Sequence, residues 1–90
     1  MKSAYELAME RAGGGDSKPL TDEQKVRIAE INTLYESKIA GTKVGFDGKI
    51  AAAHEATDFM AVATLEDERR KEIVRLEATC EAEKEKVRGE

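Results

Sequence analysis

The stretch "IAEINTLYESKIAGTKVGFDGKIAAA", residues 28–53, decides the fold. Its apolar residues recur at spacings of three, four and four. Seven of the eight positions selected in this way are apolar or aromatic, whereas a strict heptad from Ile28 fits worse. The eight positions are Ile28, Ile31, Tyr35, Ile39, Thr42, Phe46, Ile50 and Ala53. An eleven-residue repeat over three turns is close to the natural α-helical period, so this spacing predicts a nearly straight helix with one apolar seam.

The same spacing returns later in the chain, where six of eight positions are apolar. These positions are Val62, Leu65, Arg69, Ile73, Leu76, Cys80, Lys84 and Val87. Capping signals set the ends, because Thr21 opens a capping box and either Thr57 or Asp58 can cap the later segment. The sequence therefore predicts helices over about 22–55 and 58–88, joined by so few residues that they form an antiparallel hairpin.

A short helix is expected before this hairpin. Ser3 and Glu6 fit a capping box, and the three glycines from Gly13 favour a helix end followed by a flexible joint. This gives an N-terminal helix over about 4–12 and a Gly/Pro linker over 13–20. Together with the hairpin, these elements predict one all-α domain over residues 1–90.

Three glycines lie inside the predicted central helix. Each costs roughly 0.8–1 kcal/mol relative to alanine in a helix interior, so Gly41, Gly45 and Gly48 require a reason. With Ala52 they form a stripe of small residues beside the seam, where a third element can approach the backbone closely. The two occupants considered are the apolar face of the N-terminal helix and the same stripe of a second copy. That apolar face consists of Tyr5, Ala8, Met9 and Ala12.

Two other interpretations of the glycines stay open at this point. The helix can be broken or kinked between Gly41 and Gly48, or the dipeptide Asp47-Gly48 can form the turn of a β-hairpin. The unbroken spacing of apolar residues through the glycines favours a continuous helix. Arg69 falls on the second seam near the level of Gly45 and Gly48. We expect its stem to cross the stripe and its guanidinium to reach an acidic residue.

The composition restricts the class of protein. Among 90 residues there are 15 Lys and Arg against 19 Asp and Glu, a balance that argues against general binding to nucleic acid. The single cysteine, Cys80, excludes an internal disulfide. No apolar run suggests a signal peptide or a membrane span, so a cytoplasmic location is expected. A chain this small buries little surface by itself, which predicts a homodimer or other homo-oligomer, or an unidentified protein partner.

Candidates for chemistry are few. His54 and Asp58, four residues apart with Glu55 beside His54, weakly resemble the spacing of zinc ligands, so a metal-dependent regulator or small enzyme is one alternative function. The cluster Arg69-Arg70-Lys71 is the basis of a second alternative, a nucleic-acid-associated protein. The acidic residues around this cluster favour i,i+4 pairs, Glu66 with Arg70 and Asp67 with Lys71.

The function expected from these features is a non-catalytic structural or protein-interaction module without a cofactor. Two hairpins packed face to face would form a four-helix bundle. The residues expected to make the contacts are the small-residue stripe Gly41, Gly45, Gly48 and Ala52, and the seam residues Ile31, Tyr35, Ile39, Phe46, Ile50, Leu65, Ile73 and Leu76.

Overall fold

Two long helices make up the part of the chain that the structure, a computed structural model, describes, which is residues 19–90. Helix α1 runs over Asp22–Glu55 and helix α2 over Phe59–Arg88. They pack along each other as a hairpin, and residues 19–90 contain no strand. The predicted all-α helical hairpin is confirmed. The N-terminal helix expected over 4–12, and the linker up to residue 18, lie outside the described residues.

Helix α1 begins at a complete capping box. The Thr21 hydroxyl accepts a hydrogen bond from the backbone N–H of Gln24 at 3.1 Å, and the Gln24 side-chain oxygen accepts one from the Thr21 N–H at 2.9 Å. Asp22 and Glu23 occupy the first turn, where the helix dipole favours negative charge. The capping box predicted from the sequence is therefore present.

Helix α1 continues without interruption through its three glycines. Ile39 before them, Phe46 between Gly45 and Gly48, and Ile50 after them are all half-buried, so the seam keeps its register across this region. Packing against α2 stabilises the helix where its own propensity is weakest. The alternatives of a break between Gly41 and Gly48, or of a β-hairpin at Asp47-Gly48, are therefore wrong.

A tight turn of three residues reverses the chain. Ala56 ends α1, and Thr57 takes a left-handed conformation with φ 53°. The N–H groups of Thr57 and Asp58 donate back to the carbonyls of His54 and Ala53 at 3.0 and 2.9 Å. Asp58 then caps α2, because its carboxylate accepts from the backbone N–H of Ala61 at 3.1 Å. One turn thus provides hydrogen-bond partners for backbone carbonyls at the end of α1 and for a backbone N–H group at the start of α2.

Side-chain contacts also tie the open end of the hairpin together. The Gln24 side-chain amide donates to the backbone carbonyl of Val87 at 3.0 Å. Arg27 donates through both terminal guanidinium nitrogens to the carboxylate of Glu90. This pair lowers the pKa of Glu90, first through the hydrogen bond from Arg27. Because Glu90 is ionised above its lowered pKa, the contact is present at neutral pH and is lost on acidification.

The core lies in the middle of the seam and is small. Tyr35, Leu76 and Cys80 form its buried cluster, and Ile31 and Ile39 pack against it while half-buried. Two further residues, Val62 near the turn and Val87 near the open end, are buried. No side chain of residues 19–90 is completely excluded from solvent. The hairpin therefore holds a line of contacts between two helices, without an enclosed interior.

Neither α1 nor α2 combines the length and the hydropathy that a membrane crossing requires.

Thr57 allows a test of the turn. A β-branched residue in the left-handed region is strained, whereas glycine adopts it without a steric penalty. We expect Thr57→Gly to raise the free energy of unfolding by about 1 kcal/mol, measured by chemical denaturation. The matched control is Thr64→Gly at an exposed position within α2, where glycine should cost roughly 0.5–1 kcal/mol. A loss of stability in both variants would contradict the left-handed turn.

Candidate interaction surfaces

The predicted seam residues meet between the two helices. Tyr35 and Leu76 are buried, and the other six are half-buried. Those six are Ile31, Ile39, Phe46, Ile50, Leu65 and Ile73. The seam is thus occupied within one chain, and its half-exposed edges are what remains for another protein to contact.

Polar groups surround the buried cluster of the seam. Burial raises the pKa of the Tyr35 phenol, and a hydrogen bond with Glu83 raises it further. The Lys38 ammonium lies 4.8 Å from the centre of the Tyr35 ring, a cation–π contact. The Cys80 thiol is buried and lies 3.8 Å from the side-chain oxygen of Asn32. These contacts fix the tyrosine and the thiol in place.

The small-residue stripe lies outside the hairpin contact. Gly41, Gly45, Gly48 and Ala52 are all exposed. A Cβ added at any of the three glycines would find no atom within 4 Å beyond its own stretch of helix. Neither α2 nor the stem of Arg69 therefore lies against the stripe, and the expected crossing of the Arg69 stem is wrong. Within residues 19–90, the surface over these glycines is open.

A wider apolar surface surrounds this stripe, on the side of α1 that is turned away from α2. We name it the outer face of α1. Its large members are exposed: Val26 at 56 %, Leu34 at 49 % and Val44 at 72 %. It carries one charged residue toward each end, Glu30 between Val26 and Thr33, and Glu55 after Ala52. From Thr33 to Ala52 its positions are uncharged, in a chain with 38 % charged residues. These positions are Thr33, Leu34, Ser37, Ala40, Gly41, Val44, Gly45, Gly48, Ala51 and Ala52, each of them exposed.

The outer face was not predicted from the sequence. The predicted contacts included the seam and the glycines but not the apolar residues that share the helix side with the glycines. The signal was available, because the spacing from Ser37 through Gly41, Val44 and Gly48 to Ala51 is a second helical period without charge. A helix that is apolar on two opposite sides is expected to be covered on both.

Arg69 reaches an acidic residue across the hairpin, as expected. Its Nε lies 3.2 Å from a carboxylate oxygen of Asp47 on α1, close enough for an ion pair but without hydrogen-bond geometry. Beside this pair, Ile50, Ile73 and Val74 line a shallow groove open to solvent. The pair positions the arginine on the seam, where its stem covers apolar surface.

The basic cluster is neutralised by aspartates. Arg70 lies 3.3 Å and Lys71 2.9 Å from the two carboxylate oxygens of Asp67. The hydrogen bond from Lys71 is the main cause of the lowered pKa of Asp67. The expected pair of Arg70 with Glu66 is wrong, because Arg70 bonds to Asp67 three residues before it. With Arg69 bound to Asp47, all three cations have an acidic partner, which does not favour phosphate binding.

His54 and Asp58 do not form a metal site with other described residues. The Asp58 carboxylate is engaged in capping α2, and the His54 ring stands edge-on to Phe59 with 6.4 Å between ring centres. Residues 19–90 contain no group of three or more His, Cys, Asp or Glu side chains placed to hold an ion. The described structure thus offers this pair no third ligand.

Comparison of the chain with protein-family models, with curated proteins and with solved structures gave no match. Any inference about function therefore rests on the residues and contacts of this chain.

The open space at Gly45 predicts the effect of a methyl group there. In the dissociated chain, Gly45→Ala should raise the free energy of unfolding by about 0.5–1 kcal/mol, because alanine restricts the unfolded chain and meets nothing when folded. Denaturation at the lowest concentration that fluorescence or circular dichroism allows measures this effect. A destabilised variant at that concentration would show that residues 1–18 of the same chain press on the stripe.

Proposed function

We propose that this protein is a non-catalytic interaction module that acts through self-association of its helical hairpin. The observation that carries the proposal is the set of apolar side chains that the hairpin leaves in solvent. Beyond Val26, Leu34 and Val44 on the outer face of α1, these side chains are Phe59, Met60 and Val74. Exposed apolar side chains that share one side of a helix, as on the outer face of α1, are typical of an interaction site.

The small core supports the same proposal. Two helices in contact bury only one side of each, and here that contact buries five residues, with none fully excluded from water. Folding must offset a backbone entropy cost of roughly 1–2 kcal/mol for every ordered residue, so a domain of this size usually needs staples or partners. The only cysteine is a buried free thiol, so no internal disulfide stabilises the hairpin.

The arrangement that fits these surfaces is an assembly of two hairpins with four helices in all. Because each hairpin already occupies its own seam, these helices need not surround one shared core as in the bundle expected from the sequence. Every position of the three-four-four spacing is buried or half-buried, as an eleven-residue repeat in nearly straight helices would require. Straight helices can stay in contact with a second copy along their whole length. A cytoplasmic location is part of the proposal and rests on the sequence alone. The alternatives of a nucleic-acid-associated protein and a metal-dependent regulator have no observation that favours them.

Association coupled to folding makes stability depend on concentration. If the hairpin is completed by a second copy, the melting temperature must rise with protein concentration, because mass action favours the folded assembly. Melts by circular dichroism over a hundredfold range of concentration, together with the mass from light scattering, test this. We expect a mass of two chains at high micromolar concentration. A single-chain mass with a melting temperature indifferent to dilution would contradict the proposal.

A further inference from the structure

We propose that the outer face of α1 is the contact between two copies of this chain, with the two α1 helices side by side and parallel. The inference rests on the proposed self-association and names its surface, its occupant and its orientation. The second copy brings the same charge-free side of α1 against the first, about a two-fold axis that runs along the helices.

The first support is the neutrality of this face. Over about 29 Å, from Thr33 to Ala52, covering the face removes no charge from water. A partner of strong net charge gains nothing here, whereas the same face of another copy is equally apolar and equally long. Val44, exposed at 72 %, lies among three glycines that add no side chain, so two such helices can approach closely with Val44 as the protruding contact.

The second support is the charge on the two flanks of this face. One flank carries Lys38 and Lys49. The opposite flank carries Glu36 and Asp47, with Lys43 further round that side toward α2. Within its own chain Asp47 also pairs with Arg69. In a parallel two-fold pair, each flank lies beside the opposite flank of the copy at the same height. Lys38 then faces Glu36 of the other chain, and Lys49 faces its Asp47. In each pair the two residues are offset along the helix axis by two positions, about 3 Å.

An antiparallel pair reverses this complementarity. Centred on the middle of the face, it places Lys38 beside Lys49 of the copy, and Glu36 beside Asp47. Like charges at both flanks disfavour this orientation. In the single hairpin, none of residues 19–90 forms an ion pair with Glu36, Lys38 or Lys49, although most cations of α2 are paired. The two ammonium groups lie over the rings of Tyr35 and Phe46 and leave their charge without an acidic partner among these residues.

The length of the face favours a second copy over the N-terminal segment of the same chain. A helix over residues 4–12, as the sequence predicts, would be about 14 Å long. It would cover about half of the charge-free stretch and would leave the remainder in water. The α1 helix of a copy matches the face along its whole extent.

Disulfide formation at a single position tests the orientation. In a parallel pair, Ser37 lies next to Ser37 of the copy, so Ser37→Cys should give a covalent dimer under mild oxidation. All variants carry Cys80→Ser, which leaves the introduced thiol as the only one. The matched control is Ala78→Cys, exposed on α2 away from the proposed contact, which should stay a single chain.

A charge swap tests the flanks without a covalent bond. Lys38→Glu should raise the dissociation constant on the order of 3- to 10-fold, because two symmetric ion pairs become repulsive. Adding Glu36→Lys should bring the constant back to within about 2-fold of the original. In an antiparallel pair, Lys38→Glu would meet Lys49 of the copy and would tighten association instead. Sedimentation equilibrium measures the constants.

The possible results separate this inference from the proposed function. A dimer that cross-links through Ser37→Cys and weakens with Lys38→Glu supports both. A dimer that fails to cross-link at this position, or that tightens with Lys38→Glu, overturns the parallel contact and leaves self-association standing. A chain that stays monomeric at high micromolar concentration overturns both.

Discussion

The structure depends on the packing of Tyr35 against Leu76 and Cys80 across the seam. Without this packing, neither helix is expected to be stable on its own. The central helix carries three glycines, each of which weakens a helix in isolation, and α2 has a long polar end. Contact along the seam supplies what propensity does not, since tertiary packing stabilises most helices of this kind. The capping box, the turn and the contacts at the open end then hold the two helices in register.

Packing of only two helices also explains which surfaces of the hairpin stay exposed to solvent. A pair of helices can bury one side of each, so the opposite sides stay in water unless something else covers them. On α2 the opposite side carries paired charges, such as Lys71 with Asp67 and Arg75 with Glu72, and is suited to solvent. On α1 it carries Leu34, Val44 and small residues. The two helices therefore differ in the apolar surface that they leave exposed on the side away from the seam, and we expect α1 to be the helix that contacts a partner.

The sequence predicted the hairpin because its signals are local and physical. Apolar spacing indicates which side of a helix is buried, and Thr21 and Asp58 cap helices through bonds that span three residues. Other contacts left no such signal. The bond between the distant residues Gln24 and Val87 depends on how the helix ends meet. The local choice of Asp67 over Glu66 by Arg70 depends on side-chain conformation. Glycine at positions 41, 45 and 48 signals available space, but only the structure shows that α2 does not fill it.

The central claim is that the outer face of α1 is buried in the working form of the protein. Val44→Lys tests it most directly, with sedimentation equilibrium and a thermal melt as readouts. In a lone hairpin, lysine at this exposed helical position is tolerated at little cost. The account predicts that Val44→Lys dissociates the assembly and lowers its melting temperature, while Ala78→Lys, at an exposed position on α2 away from the contact, changes neither. If Val44→Lys leaves the mass and the melting temperature unchanged, the claim is contradicted.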